Sequence, residues 1–185
     1  MNTKDKKNQV SSDFSLVLND SAADVFKSAR HIVKALSCGD YTCRFIACIK
    51  HEFDRNDALD LKTPHYHLVL GFQDRYRLGT ILNYIVDLFH CNENQVSIEK
   101  CTDIGAQARY LVHMDHPDKY QYKITDVVTN NEDSFNYYLA HFRVLDERDL
   151  VNLVERYPSK KELFLRLGFA QYTRYARIIN DLLKY

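Results

Sequence analysis

The stretch YTCRFIACIKHEFDRNDALDLKTPHYHLVLGF, residues 41 to 72, decides the fold. Residues 41–51 are rich in aromatic and β-branched side chains and lie between Gly39-Asp40 and a charged segment, so they read as a buried strand. Residues 52–64 carry Glu52, Asp54, Asp57 and Asp60 and end at Pro64, a loop that returns into a second strand over 65–72. The two strands make a hairpin with a wide acidic connection. In a strand, residues two apart share a face at a spacing of about 6.6–6.8 Å, so His65 and His67 point one way and Tyr66 the other.

Outward from that hairpin, FSLVLN (14–19) is a β-prone run. Residues 21–36 place Ala22, Val25, Phe26, Ala29, Ile32, Val33 and Leu36 at helical intervals, with Asp20 or Ser21 as the cap and Gly39 beyond the end. Downstream, Leu78, Ile81, Leu82, Ile85, Leu88 and Phe89 share one face of a helix over 78–90. NQVSIEKC (94–101) alternates like an edge strand, and the periodicity of Ile104, Ala108, Leu111 and Val112 predicts a helix over 104–114, before Pro117. The order β-α-β-β-α-β-α is that of a split β-α-β, giving an α+β class: an antiparallel, ferredoxin-like sheet with helices on one face.

Strand signals stop near residue 132, which divides the chain into a sheet domain over 1–131 and a helical C-terminal region over 132–185. In that region Ser159 caps KKELFLRL, Gly168 makes a turn, and QYTRYARIINDLL is a second helix, the outline of a helix-turn-helix. The alternative is a helical pack of Leu163, Phe164, Leu167, Ile178, Ile179 and Leu182 that supports homo-oligomerisation or the sheet domain.

Composition narrows the function classes. Hydrophobic residues at 45% and charged residues at 27%, with five glycines and three prolines, exclude a disordered chain. The longest apolar run is Phe45 to Ile49, far short of the ~20 residues that span a bilayer, so no membrane partner is expected. The polar opening MNTKDKKNQV has no apolar signal core, and Cys38, Cys43, Cys48, Cys91 and Cys101 are odd in number with no CxxC pair; both point to reduced thiols and a cytoplasmic location. The 25 basic and 25 acidic residues sum to zero, which as a total argues against a polyanion binder. The total hides an asymmetry, since residues 51–62 carry net −2 and residues 156–185 net +5. Lys160, Lys161, Arg174 and Arg177 in the basic end are candidate DNA contacts.

Two constellations carry chemistry. The hairpin can bring His51 and Asp54 beside His65 and His67, and three imidazoles with one carboxylate suit Mn²⁺, Mg²⁺, Co²⁺ or Zn²⁺. With no cysteine present, a site with open positions for a substrate oxygen fits better than a closed structural zinc site. The remaining acids of the loop read as a solvated surface. The second constellation is ARYLVHMDHPDKYQY, residues 108–122. Tyr110 there is flanked by Arg109, which is either a phosphate contact or a solvated helix residue. A phenol with an ordinary pKa near 10 is a weak nucleophile at neutral pH, but a phosphodiester held by a metal is a better electrophile. Their reaction would leave a phosphotyrosine ester and a free sugar hydroxyl.

TPHYHLVLGF resembles the histidine, bulky apolar residue, histidine motif of HUH endonucleases. KHEFDRND is similar to the segment upstream of it in the replication initiators of small rolling-circle plasmids of Gram-positive bacteria, and ARYLVHMDHPDKYQY is similar to their catalytic-tyrosine motif. The resemblance covers residues 41 to 122 in order. It implies His51, Asp54, His65 and His67 as ligands of Mn²⁺ or Mg²⁺ and Tyr110 as nucleophile. It further implies an enzyme that binds a plasmid origin, nicks one strand through a 5′-phosphotyrosine, and leaves a 3′-OH for a host polymerase. Positions a turn from Tyr110 hold Ala106, Gln107, His113 and Met114, which implies a single-tyrosine enzyme, and with no GxxxxGK[ST] loop the unwinding falls to a host helicase. A mobilisation relaxase or single-tyrosine transposase shares this chemistry, and a non-catalytic copy-control repressor is the alternative of another class.

Overall fold

The computed structural model describes residues 3–19, 26–56, 58–141 and 147–184, with the backbone alone described at 3, 4, 141, 147, 149, 165–171 and 174. A short helix α1 (Thr3–Lys7) precedes strand β1 (Val10–Asn19), helix α2 (Ala29–Ser37), and the hairpin of β2 (Cys43–His51) and β3 (His65–Arg77). Then come α3 (Leu78–Phe89), β4 (Val96–Lys100), α4 (Ile104–Tyr110), the two-residue β5 (Val128–Thr129), α5 (Glu132–His141), α6 (Glu147–Arg156) and α7 (Lys160–Leu182). The strands form one antiparallel sheet in the order β4-β1-β3-β2-β5. The first four strands have the split β-α-β arrangement that the sequence predicts, and the class is α+β.

The alternation of β3 sorts the sheet into two faces. Tyr66, Leu68, Leu70 and Phe72 join Phe14, Leu16, Leu18, Ile46 and Cys48 in a core covered by α2 and α3, through Ile32, Leu36, Ile81 and Ile85. On the opposite face Phe45, Ala47, Ile49 and Val69 pack against Ala108, Leu111 and Val112 at α4, Tyr122, and Phe135 and Leu139 of α5. Helices therefore cover both faces, where the sequence reading expected one. The reason is legible in β2, whose uninterrupted apolar run Phe45–Ile49 is buried at every position, as in strands covered on both sides.

Element ends differ from the sequence reading in several places. β1 starts at Val10 and carries a bulge between Ser11 and Asp13, and β3 runs on to Arg77. Ser28 caps α2 by accepting from His31 N–H at 3.2 Å; the predicted cap at Asp20 or Ser21 and the first predicted turn lie outside the described residues. α4 ends at Tyr110 rather than 114, because His113 takes a left-handed backbone (φ 56°) and its ring is held by Tyr120 C=O at 2.7 Å. α7 continues unbroken across Gly168, so the expected helix-turn-helix is absent. One interior glycine costs only about 1 kcal/mol, less than the packing of Leu163, Tyr175 and Ile179 against Leu150 and Val154 is worth. The apolar residues of α5 belong to the sheet's second core, although the helix lies beyond residue 131, and α6 and α7 form a separate cluster.

Candidate metal centre and nucleophile

His51 ends β2 and His65 opens β3 directly opposite it, while His67 pairs with Ile49 one step along the ladder. All three side chains share the face covered by α4. Asp54 is added by the first turn of the connecting loop, where Lys62 N–H donates to Asp54 C=O at 2.8 Å and closes the loop's base. One donor atom from each of His51, Asp54, His65 and His67 lies within 4.8 Å of every other.

Backbone carbonyls orient two of the rings. His51 Nε2 donates to Leu111 C=O at 2.8 Å and His65 Nδ1 to Thr63 C=O at 2.9 Å. That leaves lone pairs at His51 Nδ1, which faces Asp54 Oδ2 at 3.2 Å, and at His65 Nε2, which faces His67 Nε2 at 3.1 Å. Lone pairs that converge in this way need a proton or a cation between them, and the donor set is that of a divalent ion with nitrogen and oxygen ligands. Burial, reinforced by His51 and His65, pulls the His67 imidazole down to about 2. His65 is lowered chiefly by burial as well. Burial works to raise the Asp54 carboxyl, but the hydrogen bond and charge of His51, with Tyr122 and His113, outweigh it and hold the group well below the usual carboxylate range. Neutral His65 and His67 beside an ionised Asp54 are protonation states that suit metal binding.

Three residues around the quartet lie within the 108–122 motif, but the sequence assigns them no role. Tyr122 donates to Asp54 Oδ1 at 3.0 Å and accepts from Phe53 N–H at 2.9 Å. His113 is fully buried with Nδ1 on Tyr120 C=O, and its Nε2, 3.9 Å from Asp54 Oδ2, has no hydrogen-bond partner among the described residues. It is a further lone pair aimed at the cluster. Lys119 donates from Nζ to the Tyr110 hydroxyl at 2.9 Å and sits 4.6 Å from the centre of its ring. The spacing of Tyr110, His113, Lys119 and Tyr122 along 108–122 was the available signal; the fold-back of that segment was not.

Tyr110 is half-buried, with its ring centroid 5.5 Å from His67 and 5.2 Å from His113, so the candidate nucleophile and the ligand quartet form one site. Arg109 is not at the surface. It is completely buried, its Nε on Asp115 Oδ2 at 2.6 Å and its two terminal nitrogens without a hydrogen-bond partner among the described residues, so it is neither a solvated helix residue nor a contact open to DNA. Glu52 and Asp60 are exposed, as the solvated-loop reading expects, and Asp57 lies outside the described residues. Lys160, Lys161 and Arg177 are exposed on α7, whose buried apolar residues cluster with those of α6, and the Arg174 side chain lies outside the described residues. Among the described residues, no helix is long and apolar enough to cross a membrane.

The chain is similar to the replication protein RepB of Lactiplantibacillus plantarum, 28% identical over 122 residues that cover 66% of this chain and 53% of the relative. The chain thus matches about half the length of that curated relative. Residues 7–136, from the last residue of α1 through the first half of α5, match the family described as plasmid replication protein, origin binding domain. That span includes the whole sheet, the four candidate ligands and Tyr110, and the chain belongs to this family of plasmid replication proteins.

Proposed function

We propose that the chain is the catalytic and origin-binding part of a rolling-circle replication initiator of the HUH class. In this reading it nicks one strand of single-stranded origin DNA and rejoins it through a 5′-phosphotyrosine at Tyr110. The observation that carries the reading is the Tyr110 hydroxyl, bonded to Lys119 while its ring lies against His67 of the ligand quartet. His51, Asp54, His65 and His67 are the residues that hold a divalent cation, Mn²⁺ or Mg²⁺. The bound cation supplies Lewis acidity at a phosphate oxygen.

The chain's own groups do the rest. Lys119 donates to the phenol oxygen and orients it, in a site that burial makes sensitive to each charge. Tyr110 Oη attacks phosphorus, the bond from phosphorus to the 3′ oxygen breaks, and that oxygen gains one proton for the one the phenol loses. One ester replaces another, so no energy source is needed and the step can reverse at termination. The free 3′-OH then primes a host polymerase, and a host helicase opens the duplex. Exposed Lys160, Lys161 and Arg177, with Arg174 on the same helix, add phosphate contacts that weaken with salt.

The origin-binding family match favours an initiator over a relaxase, a transposase or a non-catalytic repressor. The test is incubation with single-stranded origin oligonucleotides and Mn²⁺ followed by a denaturing gel. The parent protein is expected to form a 5′ adduct and Tyr110→Phe none, with oligonucleotide binding retained. An adduct in the substituted protein would sink the assignment of the nucleophile.

A further inference from the structure

Beside the ligand quartet a groove of about 570 Å³ opens, lined among others by Phe53, Asp54, Arg55, Lys62, Lys119 and Tyr120. Its volume is in the range of roughly 300–1,000 Å³ typical of small-ligand clefts. Phe53 and Tyr120 stand at its rim, each 49% exposed, with ring centroids 4.8 Å apart and planes tilted by 41°. Tyr120 in turn meets Tyr122 at 4.8 Å, and Tyr122 stacks on His51 at 4.3 Å. The exposed pair is therefore the outer end of an aromatic column whose inner end is a candidate metal ligand.

Folding has no evident use for two half-exposed aromatics at this place, yet the loop that presents Phe53 is held in place. Phe53 N–H is bonded to Tyr122, an Arg55–Leu61 bridge spans the loop, and Arg55 donates to Leu59 C=O at 2.6 Å. Pre-organised aromatic faces lower the ordering cost of a ligand that stacks on them. The groove's cations are Arg55, Lys62 and Lys119 against the carboxylates Asp54 and Asp118, and Asp54 is turned inward to the quartet. Aromatic faces with cations, continuous with a candidate phosphate-transfer site, are the chemistry of single-stranded nucleic acid binding.

We propose that this groove seats one unpaired nucleotide adjoining the scissile phosphate, its base stacked on Phe53 and Tyr120 and its phosphate beside Lys119 and Lys62. The proposal rests on the reading of Tyr110 as the nucleophile on single-stranded DNA. It adds a physical source for the preference for unpaired substrate. In a duplex both faces of a base are covered by its neighbours, so only an unstacked base can use the platform. Every base has a π-face, so this position should show little sequence preference of its own.

The test uses the full chain carrying Tyr110→Phe, with Mn²⁺ and single-stranded origin oligonucleotides in which one position at a time is replaced by 2-aminopurine or by an abasic sugar. At one position next to the nick, 2-aminopurine fluorescence is expected to be quenched on binding, and the abasic sugar to weaken binding roughly 5- to 100-fold. Phe53→Ala and Tyr120→Ala should relieve the quenching and weaken binding to a similar degree, with no further loss on the abasic oligonucleotide. Phe53→Tyr and Tyr120→Phe should restore both signals. Equal binding of parent and alanine variants overturns the proposal, as does a full additional loss on the abasic strand. The abasic scan of the unsubstituted aromatic pair is independent of any folding defect, and no sensitive position next to the nick also overturns it. A 5′ adduct with the Tyr110 protein alongside these negative results would leave the nicking function standing. Platform binding without an adduct would reject that function instead.

Discussion

The Tyr122 ring lies flat on the imidazole of His51, with 4.3 Å between centroids and 5° between planes. Its hydroxyl, which burial makes harder to ionise, reaches past that ring to Asp54. One side chain from the segment after α4 thus braces a candidate ligand of β2 and a candidate ligand of the acidic loop at once.

Tyr122→Phe keeps the stack and removes the hydroxyl that joins Asp54 to Phe53 N–H. Such outer hydrogen bonds tune ligand orientation, and their loss lowers metal affinity by about 10- to 100-fold. Titration of Mn²⁺ by calorimetry against the parent protein measures this, and an unchanged affinity would show that the hydroxyl plays no part in holding Asp54.

Lys119→Met removes the donor to Tyr110 and leaves the four candidate ligands intact. If Lys119 acts on the phenol oxygen as charge develops there, the rate of adduct formation drops by about 10²- to 10³-fold. Mn²⁺ affinity should stay the same, and that split between rate and metal binding separates an orienting role from general damage to the site.

Asp115→Asn leaves the Arg109 guanidinium buried without its counter-charge. Breaking such a pair costs about 3–5 kcal/mol when both groups are buried, and the partial exposure of Asp115 puts this case at the low end. Arg109→Met, which removes the charge and keeps an apolar chain, is expected to be better tolerated. Urea unfolding of the two variants tests the order, and the reverse order would mean that Arg109 gains more from elsewhere than from Asp115.

The metal-free protein should lose stability as pH falls below 6.5. Native His67 stays neutral down to about 2, whereas an unfolded imidazole binds its proton near 6.5, so below that value the unfolded state holds more protons. One such histidine contributes about 1.4 kcal/mol per pH unit in this window. His65 and His113, lowered mainly by burial, act with the same sign, and the contribution of Asp54 is lost only below 3.8. Thermal melts between about pH 7.5 and 5.5 should show the fall, and His67→Asn should reduce it; a melting temperature independent of pH would contradict the buried neutral cluster.

Period-two alternation alone puts His65 and His67 on one face, and the length of the acidic loop lets His51 and Asp54 meet them. Short-range geometry of this kind is written in spacing, and so are the split β-α-β order and the position of Tyr110 on a helix. Other features depend on where the chain goes after a helix ends. His113 turns the backbone at a left-handed residue, and residues 112–122 fold back with no periodic pattern to announce the path. That return carries Lys119 to Tyr110 and Tyr122 to His51. It also takes in Asp115, the partner of Arg109, whose seven-residue helix is too short for a polar face to be read from phase. The sequence by itself determined the meeting of His51, Asp54, His65 and His67, the place of Tyr110 at the end of a helix and the order of the first elements. Only the tertiary structure decided which polar groups surround them, because burial against the second sheet face, and not local spacing, selects those partners.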